Sequence, residues 1–395
     1  MGGRLQIDSR PLDSNPGTGP PAHGVEHRMN WKHASPGMPI EDLDTPSLLL
    51  DLDAVERNIE RMAKFFAGRP ARLRPHTKTH KTPILAHKQI AAGAVGVCCQ
   101  KLGEAEVMVA GGVRDILITN EIVGPIKIER LVSLAPHCDL KVVVDDAENA
   151  EALSEAALRK GLVLDVLIEV NVGQNRCGVD PGAPALRLAE AVARCRGLRL
   201  RGLQGYEGFL MLVKECGARE QQVRTAMQKL METRDLLVKA GHPVEILTGG
   251  GTGTYQITGA YPGITEVQAG SYLMMDSAYR EVEGVEFETA LTVLATVMSR
   301  PSRDRAIVDA GFKTLSTDQG MPCFKDLEGA EYQPGGDEHG KVLLRSPSRD
   351  LRVGDKVEII PSHCDTTINL HDEYFCHRNG RLEAVWPIAA RGKIR

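Results

Sequence analysis

The sequence predicts an α/β fold, a (β/α)₈ TIM-type barrel followed by a C-terminal β-rich domain. From residue 71 onward, short apolar runs alternate with segments that carry apolar residues at helical spacing, which is typical of a parallel sheet with crossover helices. Eight such runs fall within about 200 residues, which favours a closed barrel over the alternative, an open doubly wound sheet. After residue 288 only strand-like runs continue, and these predict the second domain.

The N-terminal segment shows no apolar periodicity. Residues 1–28 are rich in Gly and Pro, so we expect a disordered leader over residues 1–40. An apolar run within 45–52 predicts the first strand, and an amphipathic helix follows it. We expect this strand to join the β-rich domain, which would make that domain discontinuous in sequence.

The barrel is expected over residues 53–288 and the β-rich domain over residues 289–395. The eight barrel strands are predicted at 71–77, 96–100, 116–120, 141–146, 165–172, 200–206, 245–250 and 266–272. The intervening segments are predicted as helices, for example 149–161 and 218–241. Strands of the β-rich domain are predicted at 290–301, 304–311, 355–363, 373–380 and 382–388.

Composition excludes several function classes. The formal net charge is -4 and the pI is about 6.3, so no basic surplus supports nucleic-acid binding. We find no apolar run near the roughly 20 residues of a membrane span, and expect no membrane partner. The nine cysteines lack zinc-pair spacing, and we interpret them as reduced thiols of a cytoplasmic protein.

A basic segment follows the first barrel strand. Lys78 lies in it, and in a barrel of this kind catalytic groups lie at the carboxyl ends of the strands. We expect Arg74, His80 and Lys81, together with partial burial, to lower the pKa of Lys78 and leave part of it neutral and nucleophilic. The alternative for an isolated lysine is a solvated surface charge.

A glycine-rich loop follows the seventh barrel strand, and the eighth ends in Gly-Ser-Tyr. Backbone N–H groups and hydroxyls of this composition suit a phosphate, and barrels favour phosphate sites in these two loops. The expected cradle comprises Gly249, Gly250, Gly251, Thr252, Gly253, Gly270, Ser271 and Tyr272. A flexible glycine loop is the alternative. A phosphate site opposite Lys78 predicts pyridoxal 5'-phosphate, which needs an amine and a phosphate site.

Several motifs together resemble the D-threonine aldolase family of alanine-racemase-type pyridoxal phosphate enzymes. They are RPHTKTHK, CCQKLGEAE, EVNVGQNRCGV, GLQGY, TGGGTGT, QAGSY, DAGFK, DEHG and PSHCDTTINLHD. That family includes 3-hydroxy-D-aspartate aldolase and eukaryotic-type D-serine dehydratases. The resemblance implies an alanine-racemase-like barrel plus β-domain (fold type III) and a homodimer with active sites near the subunit interface.

The resemblance also implies roles for individual residues. Lys78 would hold the cofactor, and Arg176 would lie at its phenolic oxygen. Tyr206 is either a wall for the cofactor ring or a core tyrosine. His363 and Asp365 match the family's metal ligands, and His-x-Asp on a strand end would place both side chains on one face. Such a pair suits Mn²⁺ or Mg²⁺, with Zn²⁺ as a further option.

The function implied is cleavage of D-3-hydroxy amino acids by a metal-dependent lyase. D-threonine or 3-hydroxy-D-aspartate would give glycine and an aldehyde, acetaldehyde or glyoxylate. Leu212 stands where several relatives have a histidine; Glu207 either compensates for it or is a solvated loop carboxylate. The alternatives are a D-serine or 3-hydroxyaspartate dehydratase of the same family and a non-catalytic protein that handles pyridoxal phosphate.

Overall fold

A computed structural model describes residues 34–395, so most of the leader expected over residues 1–40 lies outside the described residues. Its last part is ordered, contrary to the expected boundary at residue 40. The Gly37 N–H donates to the Leu382 carbonyl oxygen at 2.7 Å, and the Leu382 N–H donates to Met38 O at 2.8 Å. The segment is held because it pairs with an edge of the C-terminal sheet.

The first strand, β1 (Ser47–Asp51), leads directly into helix α1 (Leu52–Phe66). Asp51 starts the helix because its carboxylate accepts the N–H groups of Asp53 and Ala54 at 2.9 and 3.1 Å, which satisfies donors that have no partner within the helix.

Eight strands and seven helices then alternate along the chain. The strands are β2 (Arg72–Leu73), β3 (Val97–Cys99), β4 (Asp115–Glu121), β5 (Asp139–Val144), β6 (Leu164–Glu169), β7 (Leu198–Gly205), β8 (Ile246–Gly249) and β9 (Glu266–Val267). The helices are α2 (Pro83–Ala91), α3 (Leu102–Ala110), α4 (Pro125–Leu134), α5 (Ala147–Arg159), α6 (Ala183–Arg194), α7 (Cys216–Lys239) and α8 (Tyr255–Ala260). Over residues 34–395, no helix is both long and apolar enough to cross a membrane.

The eight strands form one parallel sheet in the order β2-β9-β8-β7-β6-β5-β4-β3. Its two edges meet beyond β2, where the Cys98 N–H donates to the Pro75 carbonyl oxygen and the Thr77 N–H donates to Cys98 O, both at 2.8 Å. The predicted barrel is therefore confirmed, and the carboxyl ends of all its strands face the same side.

Arg74 ties the short strand β2 into the barrel. Its buried guanidinium donates to both carboxylate oxygens of Glu266 at 2.7 and 2.9 Å and to Asp115 at 2.6 Å. Glu266 belongs to β9 and Asp115 to β4, so one cation links strands on both sides of the closure. A two-pronged contact with one carboxylate and a third bond to another require the planar guanidinium of arginine.

The remaining strands form a second sheet. They are β10 (Leu291–Ser302), β11 (Arg305–Val308), β12 (Cys323–Phe324), β13 (Ala330–Pro334), β14 (Gly340–Leu344), β15 (Lys356–Ile360), β16 (Glu373–Arg378) and β17 (Arg381–Pro387). The strand expected near 45–52 belongs to this sheet: β1 pairs antiparallel with β10 and parallel with β16. A short helix, α9 (Cys364–Ile368), follows β15.

The Arg74 contacts predict a large loss of stability when this side chain is removed. In Arg74→Ala, the carboxylate of Glu266 stays buried without its cation, which costs about 3–5 kcal/mol. Urea unfolding followed by circular dichroism should show the lower midpoint. Arg57→Ala is the control, because it breaks the exposed Arg57–Glu288 pair and should change stability little. Equal effects of the two substitutions would contradict this account of the closure.

Candidate active site

The polar residues at the carboxyl ends of the barrel strands converge on a cleft of about 150 Å³. Most of the predicted site residues line it: Lys78, Arg176, Tyr206, Gly250, Gly251, Thr252, Gly270 and Ser271. They come from widely separated loops, and the parallel sheet brings these loops together because all its strands end at one side.

Lys78 lies in the cleft with its Nζ 3.2 Å from Asp365 Oδ2. This carboxylate raises the pKa of Lys78 above its ordinary value, so the expectation that nearby cations lower this pKa is wrong. The reason is that those cations have partners of their own. Glu266 and Asp115 bind Arg74.

The other two basic neighbours of Lys78 are also engaged elsewhere. Lys81 is buried and pairs with Glu104. His80 is buried too, and its Nε2 lies 3.2 Å from the Gln89 side-chain oxygen. Burial lowers the pKa of His80 to about 4, so it is neutral near pH 7. Neither group supplies a free positive charge to the cleft.

The glycine-rich loop offers unused backbone donors. Within residues 34–395, the N–H groups of Thr252, Gly253, Gly270 and Ser271 have no hydrogen-bond acceptor. The Tyr272 N–H donates to Thr252 Oγ1 at 2.9 Å and joins the two loop segments. Free N–H groups at a cleft are the donors that bind phosphate oxygens.

Three residues of the expected cradle do not line the cleft. Gly249 ends β8, and its carbonyl accepts the Gln268 N–H at 3.0 Å. Gly253 packs so closely on Met211 that a Cβ would lie 2.0 Å from the Met211 carbonyl oxygen. The side chain of Tyr272 is fully buried, and its hydroxyl accepts from the Gln89 amide at 2.9 Å. These residues contribute to the packing of the loops and not to the lining of the cleft.

Arg176 supplies a cation to the cleft. Its guanidinium carbon lies 5.7 Å from the centre of the Tyr206 ring, within the range of a cation–π interaction. Among the described residues, no carboxylate lies within 4.0 Å of its guanidinium nitrogens, so the charge is free to bind an anion. Tyr206 lines the cleft beside it, and burial raises the pKa of its hydroxyl.

His363 and Asp365 lie at the start of α9 rather than at a strand end. The expectation of a strand was wrong because His363 is the N-cap residue and Asp365 belongs to the first helical turn. Asp365 nevertheless reaches the cleft, where it contacts Lys78 and accepts from Ser271 Oγ at 3.4 Å. Cys364 between them is fully buried.

Asp318 orients the His363 ring, which the sequence did not indicate. His363 Nδ1 lies 2.8 Å from Asp318 Oδ2, so Nδ1 carries the proton and donates. The carboxylate also accepts from Thr366 Oγ1 at 2.9 Å. This leaves Nε2 as the lone-pair atom, 3.4 Å from the Gln319 amide nitrogen. In metal sites, the ring N–H of a ligating histidine commonly donates to a carboxylate, which fixes the orientation of the imidazole.

A different set of metal-capable groups lies on the neighbouring strand ends. Glu121, Asp145 and Cys177 have ligand atoms within 4.8 Å of one another, and no other such group of three or more His, Cys, Asp or Glu residues occurs between residues 34 and 395. Asp145 already accepts the Gly178 N–H at 3.0 Å. His363 and Asp365 do not belong to such a cluster, and as ligands they would leave other positions of an ion to water or substrate.

Other residues of the cleft were not identified from the sequence, because each is a common polar residue within or next to a predicted strand. Gln268 donates to Gln204 Oε1 at 2.8 Å, and both are buried at the floor of the cleft. His76 contacts Thr119 Oγ1 at 3.0 Å and receives the Lys78 N–H at 3.3 Å. The only available signal was their position near strand ends.

The residues present fit pyridoxal phosphate. The cleft combines an amine on Lys78, a free guanidinium on Arg176 and unused backbone N–H groups. The buried Gln174 Oε1 also lines it and has no hydrogen-bond partner within residues 34–395. Buried polar atoms are rarely left unpaired, so this oxygen indicates a hydrogen-bond donor on the ligand, while the guanidinium and the free N–H groups suit its anionic phosphate.

Comparisons with known proteins agree with this geometry. The family described as "Alanine racemase, N-terminal domain" matches residues 50–278, and the "Putative serine dehydratase domain" matches residues 290–377. The chain is 41% identical over 365 residues to a D-threonine aldolase from Arthrobacter sp., covering 92% of this chain and 96% of that protein. It is 38% identical over 370 residues to a 3-hydroxy-D-aspartate aldolase from Paracoccus denitrificans, covering 91% and 95%.

Solved structures show the same likeness. The D-threonine aldolase from Filomicrobium marinum superposes with a TM-score of 0.89 at 44% identity, covering 92% of this chain and all of that one. The D-threo-3-hydroxyaspartate dehydratase from Delftia sp. HT23 has a TM-score of 0.79 at 28% identity, covering 88% and 98%.

The buried histidines beside Lys78 predict how stability depends on pH. Burial lowers the pKa of His76 to about 3 and that of His80 to about 4, from 6.5. The unfolded chain therefore binds protons that the folded chain does not, and the free energy of unfolding should fall as pH drops from about 6.5 toward 4. His80→Gln should reduce this slope between about pH 5 and 7 in urea unfolding. His137→Gln, at an exposed histidine, is the control, and an unchanged slope in His80→Gln would contradict the assignment.

Proposed function

Because the chain belongs to the alanine-racemase-type family that contains D-threonine aldolase and 3-hydroxy-D-aspartate aldolase, we propose that it is a lyase that cleaves D-3-hydroxy amino acids to glycine and an aldehyde. The observation that carries this proposal is the contact of Lys78 Nζ with Asp365 Oδ2 at 3.2 Å. It brings the amine for the cofactor and a ligand for a metal to one end of one cleft.

The cofactor would be held by groups from the barrel. Lys78 would bind its aldehyde carbon, and the free N–H groups of Thr252, Gly270 and Ser271 would bind its phosphate. Arg176 would lie at its phenolic oxygen, as the family resemblance implies. When bound, pyridoxal phosphate supplies an electron sink for the pair that remains when the Cα–Cβ bond breaks.

His363 Nε2 and the Asp365 carboxylate would hold a divalent cation. Imidazole and carboxylate together suit Mn²⁺ or Mg²⁺ and also accept Zn²⁺. At that end of the cleft, a cation would lower the pKa of the substrate hydroxyl, whose proton must leave before the aldehyde can form. Asp318 keeps the His363 lone pair on Nε2, because it accepts the Nδ1–H.

Asp365 favours cleavage over dehydration. Solved structures of a D-threo-3-hydroxyaspartate dehydratase include a histidine-to-alanine mutant and a cysteine-to-alanine mutant in the metal-free form. In this chain the second position after His363 is Asp365, and the thiol of the intervening Cys364 is fully buried. The dehydratase relative is also less similar to this chain than the aldolases are, with 32% identity against 41%.

We further propose a homodimer in the cytoplasm. A depression of about 760 Å³ at the start of α4 is lined by Val123, Pro125 and Ile126, together with charged side chains of α3, α4 and the C-terminal residues. The side chains of Val123 and Ile126 are 62% and 78% exposed, and apolar surface of this kind is typical of a covered interface. All nine cysteines are free thiols, which suits a reducing compartment.

The proposed reaction predicts the products. D-threonine should give glycine and acetaldehyde, and 3-hydroxy-D-aspartate should give glycine and glyoxylate, measured by amino-acid chromatography and an aldehyde assay. Lys78→Ala should release no aldehyde, because among the described residues no other amine lines the cleft. Lys101→Ala, at another strand end, is the matched control and should keep activity. A 2-oxo acid with ammonia as the products would assign the protein to the dehydratases instead.

The metal pair predicts that removing the metal abolishes the reaction but leaves pyridoxal phosphate bound. The bound cofactor would keep the protein yellow. Chelation should stop aldehyde release while the protein stays yellow, because the cofactor is held by barrel residues, and added Mn²⁺ should restore activity. Asp318→Asn should weaken Mn²⁺ binding about 10–100-fold, measured by titration of the paramagnetic ion, because the carboxylate behind His363 is lost. Asp372→Asn, at a carboxylate that pairs with Arg391, should bind Mn²⁺ normally. Unfolding on chelation would show instead that the metal is structural.

A further inference from the structure

Glu207 is buried without a counter-ion directly behind the glycine-rich loop. It follows Tyr206 at the end of β7, and its side chain is fully buried. Among the described residues, no Lys, Arg or His nitrogen lies within 4.0 Å of its carboxylate. It neither faces solvent nor lines the cleft, so both expectations from the sequence were wrong. An unpaired buried carboxylate costs free energy unless donors surround it.

Three donors converge on this carboxylate. Gly250 donates its N–H to Oε2 at 3.0 Å. The hydroxyls of Thr254 and Thr258 donate to Oε1 at 2.8 and 2.5 Å. All three donors belong to the glycine-rich loop or to helix α8 after it, so Glu207 holds that whole connection.

The network decides which N–H groups of the loop remain available. The Thr254 hydroxyl gives its proton to Glu207, so its lone pairs accept, and the Gly251 N–H donates to it at 3.2 Å. The N–H groups of Gly250 and Gly251 are therefore already hydrogen-bonded and are not available to a ligand. The next two N–H groups, of Thr252 and Gly253, have no acceptor within residues 34–395.

We propose that Glu207 is the positioning residue of the cofactor's phosphate site. This inference rests on the proposed function, because it assumes that the loop binds the phosphate of pyridoxal phosphate. Glu207 acts through the loop and does not touch the ligand. A carboxylate is needed because it accepts from all three donors at once, whereas the amide of Gln would place a donor against Gly250 or the threonine hydroxyls.

The test measures the contribution of the phosphate to binding separately from that of the rest of the cofactor. Full-length protein freed of cofactor is titrated with pyridoxal phosphate and with pyridoxal, which lacks the phosphate, and the dissociation constants are read from absorbance. Each constant is expressed as the ratio of variant to unmodified protein, so the different chemistry of the two ligands in solution cancels.

Glu207→Gln should weaken binding of pyridoxal phosphate by about tenfold or more, the size of a hydrogen bond to a charged group. Binding of pyridoxal should change by less than about twofold, because Lys78 and the ring contacts remain. Asn149→Ala is the matched control, because it removes another buried hydrogen bond, from Asn149 Nδ2 to Ile122 O at 3.0 Å, far from the loop. It should leave both constants unchanged.

Equal weakening of both ligands by Glu207→Gln, or no weakening, would overturn the inference. If that variant does not fold, Thr254→Val replaces it, since this change removes only the hydroxyl that links Glu207 to Gly251. A selective loss of pyridoxal phosphate affinity in Thr254→Val supports the inference, and unchanged affinity overturns it. If the unmodified protein binds pyridoxal phosphate no more tightly than pyridoxal, the loop is not a phosphate site. That outcome would contradict the proposed function as well.

Discussion

The contact between Lys78 and Asp365 is the interaction on which the arrangement of the site depends. The lysine follows a barrel strand and the aspartate lies on α9, which follows β15 of the other sheet, yet their charged atoms are 3.2 Å apart. The contact exists because α9 docks on the barrel through Asp276, which is fully buried and accepts the N–H groups of Cys364 and Tyr279 at 3.0 Å each. One buried carboxylate thus fixes where the second sheet meets the cleft.

Carboxylates perform the same task at three places around the cleft, and two of them are fully buried whereas Asp318 is exposed. Asp276 holds α9, Glu207 holds the glycine-rich loop and Asp318 holds the His363 ring. Each accepts at least two hydrogen bonds, and for the buried Asp276 and Glu207 these donors offset the cost of removing the charge from water. This gives flexible connections a rigid geometry, which a site on loops requires if its groups are to stay in place.

The fold could be predicted largely from the sequence because each barrel strand repeats the same local pattern. The strands that were missed, β12 to β14, are short or alternate with exposed residues, so their apolar runs are too brief to detect. The placement of Lys78 followed from its strand end alone. Asp318 was not identified and the role of Glu207 was not recognised, because a carboxylate in a loop has the same sequence signal whether it is solvated or surrounded by donors. The pKa of Lys78 was misjudged for a related reason, since the partners of Arg74 and Lys81 are distant in sequence.

The two halves of the site are attached to different parts of the chain, and this bears on how one scaffold can serve both cleavage and dehydration. On the proposed function, barrel loops hold the group that accepts electrons, and the first turn of α9 holds the ion at the substrate hydroxyl. A change at the position of Asp365 would alter the ion's ligands and the partner of Lys78, but not the barrel loops that would bind the cofactor's phosphate. Carboxylate ligands favour hard ions such as Mn²⁺, whereas a thiolate there would select Zn²⁺. The type of reaction can therefore diverge through α9 while the cofactor site, and the closure of the barrel by Arg74, stay the same.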